Sequence, residues 1–332
     1  MTGTVDSAAL TRTRVWQAFK IALALVLVGI ILTQVRIDDL AAAWQRLSIP
    51  WLLGSLLASW AGWWVMARRY WLLVGRSIRF REVLSLVIMQ VVVGNLIATS
   101  ASAISYLGVL RAKHQVKLSQ GIASLVVARL ADMLTLLMGL VCSSWLVWSQ
   151  ISALHWLVVM IVIGLVALVA ALAGLLLFRR SFIELVGKIV YRFHFDRIAL
   201  VRRILGALEA LAWQELTAVG PLLLPVIGYT LASFAFSLSL FYCDMQLFAV
   251  SIGLAPMLFM LSLTQLIGMI PIQVFGGLGV YDVTSIFLFG LFGLNEALIM
   301  PVVVGTRLVF YLTNGLLLVE MFVEGGFRRR AA

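Results

Sequence analysis

Charged residues are scarce in this chain. Only 12% of its 332 residues are charged, 63% are hydrophobic, and the mean hydropathy is +1.09. A soluble domain of this length typically has about 25% charged residues. Polar side chains are therefore too few to cover a globular surface, which excludes a soluble globular protein and predicts an all-α polytopic membrane protein.

Cysteine and histidine are also rare. Cys142 and Cys243 lie in apolar runs and cannot form a disulfide framework. His114, His155 and His194 lie in different segments, and there is no CxxC or HExxH motif, so no metal site is expected. A Walker-type GxxxxGK[ST] motif is absent, which argues against ATP as the driving force. We expect no cofactor, and no catalytic motif indicates an enzyme.

The formal net charge of +11 indicates lipid rather than nucleic acid as the partner. The basic residues cluster at the ends of apolar segments, as the positive-inside rule predicts for cytoplasmic loops. Cations at these positions also attract anionic lipid. We therefore interpret the charge as a topology signal.

Several apolar segments are about 20 residues long, the length that a helix needs to cross a hydrocarbon core of about 30 Å. The first, IALALVLVGIILTQV, follows Lys20 and resembles a retained signal anchor, because no small-residue cleavage site follows it. The second, PWLLGSLLASWAGWWVMA, precedes Arg68. Further spans are predicted near 120–149, 154–178, 219–243 and 296–322.

The uncharged stretch 83–110 is too long for one span and too short for two, and its middle, GNLIATSASAIS, is polar. If it crossed fully, the basic segment 179–203 would lie outside, against the positive-inside rule. If it enters and returns, the basic clusters are all cytoplasmic, including the five arginines from Arg68 to Arg81. The charge pattern therefore favours a re-entrant broken hairpin, and the basic residues left outside the cytoplasm are Arg36, Arg46, Arg129 and Arg307.

A second broken apolar stretch occupies 256–295, and charge alone leaves open whether it is a hairpin or two full spans. Each half of the chain then contains two spans, a broken hairpin and a third span, starting from opposite sides. This is an inverted repeat, in which transporters place their site where broken helices meet.

The sequence therefore predicts about eight apolar helical segments, interpreted as six spans and two re-entrant hairpins. Both termini are expected in the cytoplasm. The predicted organisation is a cytoplasmic tail at 1–14, a membrane domain at 15–322 with halves 15–149 and 154–322 and an amphipathic cytoplasmic segment at 181–217, and a basic cytoplasmic tail at 323–332.

Ionisable residues inside the apolar segments are the candidate site. Arg129 and Asp132, in ARLADML, share a helix face and form either a buried structural pair or an arginine that Asp132 holds ready for a phosphate. Arg307 has no acid within one helical turn, so its partner is expected elsewhere, either Asp282 or a lipid phosphate. Asn314 follows two turns later on much the same face.

The stretch PIQVFGGLGVYDV supplies the other candidates. Gly276, Gly277 and Gly279 either form a simple turn or let a lipid approach backbone N–H groups at a helix start. Asp282 then lies in the first helical turn, where an acid is also a plain stabiliser. Arg111 is expected at the cytoplasmic mouth, as a topology signal or a first phosphate contact.

Two longer stretches, GVLRAKHQVKLSQGIASLVVARLADML and PIQVFGGLGVYDVTSIFLFGLFGLNEALIMPVVVGTRLVFYLTNGLL, carry a family resemblance. The chain resembles the lysylphosphatidylglycerol synthase transmembrane-region family, or flippase-like domain, over roughly 15–322. This chain has Asp282 where the family often has glutamate, and lacks the Gly-Glu pair that often precedes the residue matching Arg111. The matching positions are Arg111, Arg129, Asp132, Pro271, Gly276, Gly277, Gly279, Asp282 and Arg307.

The resemblance implies a role in moving lipid between leaflets. In two-part members a separate soluble domain attaches the amino acid, and because this chain ends at GGFRRRAA we expect a stand-alone member without that domain. The leading hypothesis is a translocase of the bacterial inner membrane that moves an anionic or modified phospholipid or a lipid-linked head group. A separate lipid-modifying enzyme is a possible partner, and nucleic acid is not.

Two other functions stay open. One is a membrane-embedded glycosyl or other lipid-modifying transferase, for which Asp38 and Asp39 form the only adjacent acid pair and fit a helix start better. The other is a non-transporting subunit that presents lipid to an enzyme. Both need the same kind of lipid groove as a translocase.

Overall fold

The computed structural model describes residues 48–75, 78–96, 99–170, 174, 222–269 and 280–330. Within these ranges nearly every residue is helical and none lies in a strand, which confirms the all-α prediction for this part of the chain. The predicted first span, the amphipathic segment 181–217 and the three glycines of the GGLG motif lie outside the described residues.

The described helices follow the apolar segments of the sequence and end where the backbone turns. Positive φ angles mark several of these turns, at Gly75 (98°), Gln115 (53°), Ala249 (54°) and Gly293 (76°). The helices are α1 (Ile49–Val74), α2 (Phe80–Leu96), α3 (Thr99–His114), α4 (Leu118–Leu146), α5 (Trp148–Ala170, beginning with 3-10 turns at Trp148–Leu154), α6 (Leu223–Leu247), α7 (Leu254–Met269), α8 (Val280–Leu291) and α9 (Glu296–Arg330).

Five of these helices are long and apolar enough to cross a membrane. They agree in position with five of the six predicted spans, which confirms a multi-pass membrane protein. Large apolar side chains are exposed along them, as expected of surfaces that face lipid rather than water. The five segments are Ile49–Val74, Gln120–Leu146, Trp148–Ala170, Leu223–Leu247 and Ala297–Leu316.

Both stretches predicted to be broken consist of short helices. Stretch 83–110 contains α2 and α3, of 17 and 16 residues, on either side of residues 97–98. Stretch 256–295 contains α7 and α8, of 16 and 12 residues. At about 1.5 Å per residue, none of the four reaches the roughly 30 Å of a hydrocarbon core. The re-entrant paths themselves stay a prediction.

The described residues form two compact units, and each draws on both predicted halves of the chain. The first unit contains 48–60, 88–96, 99–106, 237–269 and 280–330, and the second contains 61–75, 78–87, 107–170, 174 and 222–236. The division into an inverted pair of halves stays a prediction.

In the first unit, α8 packs against both α7 and α9. The rings of Phe259 and Phe292 meet edge to face with centroids 5.8 Å apart. Phe248, just after α6, places its ring directly against Gly305 of α9. The ring can approach the backbone of α9 this closely because glycine has no Cβ, whereas any other residue at this position would place a Cβ against the ring.

In the second unit, α1, α4 and α6 supply a small apolar cluster. Val127, Ala131 and Val226 are buried in it, and Leu73 and Leu222 pack against them. These contacts bring the last turns of α1 together with the middle of α4 and the start of α6. They therefore position the polar side chains that lie on the same three helices.

We expect Gly305→Ala to destabilise the protein, because the added Cβ would overlap the ring of buried Phe248. Overpacking of this kind typically costs about 1–3 kcal/mol. Thermal unfolding in detergent, followed by tryptophan fluorescence, measures the loss. The matched control is Gly315→Ala on the same helix, where nothing lies within 4 Å of the added Cβ. Equal stability of the two variants would contradict the contact, whereas Phe248→Leu should partly restore Gly305→Ala.

Candidate functional site

Arg307 and Asp282 form a buried ion pair in the first unit. The Nε of Arg307 donates to Oδ1 of Asp282 over 2.7 Å, and the two side chains are 12% and 4% exposed. Asp282 lies in the first turn of α8, and α8 packs against α9, which carries Arg307. Of the two partners that the sequence left open for this arginine, Asp282 and a lipid phosphate, the structure shows the contact with Asp282.

Two aromatic rings also lie close to the Arg307 guanidinium. Its central carbon lies 5.1 Å from the centroid of the Tyr281 ring and 5.6 Å from that of Phe310. A guanidinium is weakly hydrated and stacks favourably on aromatic faces. The carboxylate and the rings together hold the cation in one place inside an apolar helix pair.

Asn314, seven residues after Arg307 on α9, connects this helix to the polar middle of stretch 83–110. The Nδ2 of Asn95 donates to Oδ1 of Asn314 over 2.9 Å, and the Nδ2 of Asn314 donates to the carbonyl of Phe310 over 2.7 Å. Asn314 is only 1% exposed. The structure thus places an amide pair between α2 and α9 in the same unit as the Arg307–Asp282 pair.

The second unit contains another buried arginine, Arg69 of α1, which is 2% exposed. Its Nη1 and Nη2 face Oδ1 and Oδ2 of Asp132, the second contact being 3.3 Å long. Nη1 also donates to Oγ1 of Thr230 over 2.9 Å, and Thr230 in turn donates to the carbonyl of Val226 over 2.8 Å. This bidentate geometry is the strongest arrangement for an arginine and a carboxylate.

The Arg69 contact corrects one interpretation of the sequence. Arg69 was grouped with the cytoplasmic arginines, and this placement stays a prediction, while the structure shows that its side chain is buried and paired. Asp132 was expected to hold Arg129, yet in the described part of the chain no ion pair joins these two residues, and Asp132 binds Arg69 instead. Arg129 is half-buried on α4.

The structure does not bring all the predicted site residues together in one unit. Arg111 is exposed in the last turn of α3, where a cation also complements the helix dipole. Arg129 and Asp132 lie in the second unit, whereas Asp282, Arg307 and Asn314 lie in the first. Gly276, Gly277 and Gly279 lie outside the described residues.

Arg68 is a further residue whose role the sequence does not reveal. Its guanidinium lies over the rings of Trp64, Trp71 and Phe80, at 4.6, 5.5 and 4.2 Å from their centroids. The indole N–H of Trp71 donates to the carbonyl of Ile78 over 2.8 Å, which fixes this cage near the end of α1. Aromatic and cationic side chains at a helix end are typical of a membrane interface, so this cage fits an interfacial anchor.

Asp244 is an acid that sequence reasoning missed. It lies in α6, within the apolar run LFYCDMQLF, and Oγ of Ser55 donates to its Oδ1 over 2.7 Å. A carboxylate within an apolar run, directly after the predicted span 219–243, was the available signal. No group of three His, Cys, Asp or Glu side chains able to hold a metal is found among the described residues.

We expect Arg69 and Asp132 to be energetically coupled far more strongly than Arg129 and Asp132. Removing one partner of a buried pair costs about 3–5 kcal/mol, because the other charge is left uncompensated. Arg69→Met and Asp132→Leu should each destabilise strongly, and the double variant should recover much of the loss.

The matched comparison is a second cycle with Arg129→Met and Asp132→Leu. A pair spaced three residues apart on one helix contributes only about 0.2–0.5 kcal/mol. Unfolding free energies in mixed micelles supply both coupling energies. A larger coupling for Arg129 than for Arg69 would show that the pairing described here is wrong.

Comparison with known proteins identifies the family of the chain. Comparison with protein-family models matches residues 17–317 to the family described as the lysylphosphatidylglycerol synthase TM region. Comparison with curated proteins gave no match. The family suggests a function related to membrane lipid, and its match covers nearly the whole sequence. The chain therefore belongs to the lysylphosphatidylglycerol synthase TM-region family.

Proposed function

We propose that this protein is a lipid translocase of the bacterial inner membrane, which moves an anionic or modified phospholipid, or a lipid-linked head group, between leaflets. The observation that carries the proposal is the buried Arg307–Asp282 pair, set among apolar helices in a member of a lipid-related membrane family. A buried charge pair is weak evidence for stability alone. Inside a membrane, ionisable residues more often mark a substrate path.

Arg307 is the group that meets the lipid phosphate. A guanidinium is a planar donor fork that fits phosphate oxygens as well as it fits a carboxylate. Asp282 contacts this fork through Nε, at 2.7 Å. An arriving phosphate brings the same charge as the carboxylate, so it exchanges with or joins Asp282 without leaving the arginine uncompensated.

The amide pair Asn95–Asn314 extends the polar path beyond Arg307. Asn314 lies seven residues along α9, which corresponds to about 10 Å at 1.5 Å per residue. A head group that leaves the arginine therefore reaches amide donors and acceptors after moving a distance similar to its own length. Fixed polar groups at this spacing replace the water that a head group loses in hydrocarbon, and the acyl tails remain in the bilayer.

Re-entrant hairpins supply the openings in this proposal. The pairs α2/α3 and α7/α8 each enter and return, and the two halves of the chain form an inverted repeat. The shortness of these helices supports this path, because each is too short to cross a bilayer alone. Non-helical backbone between such helices is tolerated where it lines a polar cavity.

Site-directed labelling tests the re-entrant path. In a variant whose two cysteines, Cys142 and Cys243, are replaced, we expect Glu82→Cys and Lys113→Cys to react with an impermeant maleimide from the same side. Gln150→Cys, exposed in the 3-10 turns at the start of α5, is the reference for the opposite side. Labelling of positions 82 and 113 from opposite faces of oriented vesicles would overturn the first hairpin.

Lipid exchange in proteoliposomes tests the function. We expect the protein to speed the exchange of fluorescent anionic phospholipid between leaflets, and Arg307→Ala with Arg129→Ala to lose most of the gain. Arg307→Lys keeps the charge but removes the planar fork, so it should retain only part of the rate. Dithionite quenching of the labelled lipid measures the exchange.

Lys113→Ala is the matched control, because it removes one exposed cation at the end of α3. It should leave the rate unchanged. If the folded wild-type protein gives no exchange above empty liposomes over a panel of anionic lipids, the translocase proposal fails. Binding of the same lipids without exchange would then favour a lipid-presenting subunit.

A further inference from the structure

Arg68 and Arg69 are neighbours on α1, but their surroundings differ. Arg69 is buried and faces both carboxylate oxygens of Asp132. Arg68 is half-buried, and in the described part of the chain its contacts are with aromatic rings rather than with a carboxylate. A ring attracts the positive charge but offers no lone pair to an N–H donor. The guanidinium of Arg68 is therefore held in place, while its hydrogen-bonding capacity is unused within the described residues.

The rings around Arg68 support one another. Phe80 meets Trp64 edge to face at a centroid distance of 5.7 Å and Trp71 at 6.1 Å. Trp71 is fixed in turn by the hydrogen bond from its indole N–H to the carbonyl of Ile78. The guanidinium carbon lies within 5.5 Å of all three ring centroids. Because this cage orders the side chain before a ligand arrives, binding costs less side-chain entropy.

The Nε of Arg68 is a donor that lacks an acceptor. It is buried, and among the described residues it has no hydrogen-bond partner. Glu82 is the nearest acid along the chain, and it contacts His114 at 3.6 Å. A buried charged donor without an acceptor raises the free energy of the protein. An anion that reaches this guanidinium offsets that cost.

The cage lies near one end of a helix that is long enough to cross the membrane. With 26 residues at about 1.5 Å per residue, α1 is about 39 Å long, more than the roughly 30 Å of a hydrocarbon core. Arg68 precedes the end of α1 at Val74 by less than two helical turns, and Trp64 is 44% exposed. Tryptophan and arginine side chains near a helix end are typical of the head-group layer. The most abundant anion in that layer is the phosphate of a phospholipid.

The charge near the cage also favours an anion. Arg79 and Arg81 flank Phe80 in the sequence, and both side chains are exposed. Glu82 is the only acid between positions 40 and 131 of the sequence. Basic residues close to a membrane surface attract anionic lipid. A phospholipid with a net negative charge therefore fits this region better than a zwitterionic one.

We propose that Arg68 and its three rings form a binding site for the phosphate of an anionic phospholipid at the membrane interface. The guanidinium N–H groups donate to the phosphate oxygens, and Arg79 and Arg81 add positive charge at the start of α2. All these residues belong to the second unit, whereas Arg307 and Asp282 belong to the first. The site requires only that α1 cross a membrane, so it stands whether or not the protein translocates lipid.

Native mass spectrometry of the full chain in detergent, titrated with phosphatidylglycerol, tests the site. We expect Arg68→Gln to bind this lipid about tenfold more weakly, as for the loss of a charge-assisted hydrogen bond. Lys113→Gln removes an exposed cation from the last turn of α3 and is the charge-matched control. It should bind as the wild type does. An equal loss in the two variants would reduce the effect to net charge and overturn the site.

Variants that keep the net charge test the cage itself. We expect Trp64→Leu and Phe80→Leu to weaken phosphatidylglycerol binding, because Arg68 is then no longer held in position. Trp60→Leu is the control, at a tryptophan of α1 that is similarly exposed, and it should leave the affinity unchanged. Wild-type affinity in both cage variants would contradict the proposed role of the rings and overturn the site.

Two further lipid and anion titrations decide the occupant. Inorganic phosphate in excess should not displace phosphatidylglycerol, and displacement would identify a soluble anion as the ligand instead of lipid. Phosphatidylcholine has the same phosphate but no net charge, so it should bind more weakly. Equal binding of the two lipids would overturn the preference for anionic lipid.

A second substitution covers a folding failure of Arg68→Gln. Arg68→Lys keeps the charge but removes the planar donor fork. It should therefore bind phosphatidylglycerol more weakly than the wild type. Wild-type affinity in this variant would show that the fork makes no contact with the phosphate, which overturns the site equally.

Discussion

A buried arginine in an apolar helix has to find its carboxylate on another helix, and much of the described structure follows from this requirement. Leaving a guanidinium unpaired in hydrocarbon costs more free energy than folding the chain so that a carboxylate reaches it. Arg307 on α9 meets Asp282 on α8, and Arg69 on α1 meets Asp132 on α4. Each pair fixes which helix faces which within its unit, where apolar side chains alone would tolerate several packings.

Hydropathy predicted the helices well because a membrane restricts the chain to few solutions. Lipid offers no hydrogen-bond partners, so the backbone N–H and C=O groups must bond to each other. An apolar stretch of about 20 residues is therefore expected to be a helix. The interruptions were also visible, since polar residues at 94–105 and the glycine-rich stretch before Asp282 break otherwise continuous apolar runs. Glycine positions in that stretch lie outside the described residues and stay predictions.

The pairing of charges was predictable in only one of two cases, for a physical reason. Arg307 has no acid within one helical turn, so a distant partner was expected, either Asp282 or a lipid phosphate. Asp132 has Arg129 three residues away, and this local partner concealed the distant one, Arg69. Arg69 in turn adjoins Arg68 near a helix end, where sequence cannot distinguish a buried cation from an interfacial one. The spacing of residues along one helix carries no information about a contact such as Arg69–Asp132, whose partners are 63 residues apart in the sequence.

The three aspartates of these apolar helices illustrate how a partner determines what a charge can do. Asp132 is paired with buried Arg69, and removing either partner would leave the other charge uncompensated, so Asp132 suits a structural role. Asp282 is also paired, but its arginine lies beside the rings of Tyr281 and Phe310, and α9 carries the amide of Asn314 seven residues further along. In the proposed function, an incoming anion takes over the role of this carboxylate. Asp244 accepts from the neutral hydroxyl of Ser55 instead. The three acids therefore differ in their partners, which are a bidentate arginine, an arginine beside aromatic rings, and a hydroxyl, so the same residue type in an apolar helix need not have the same role.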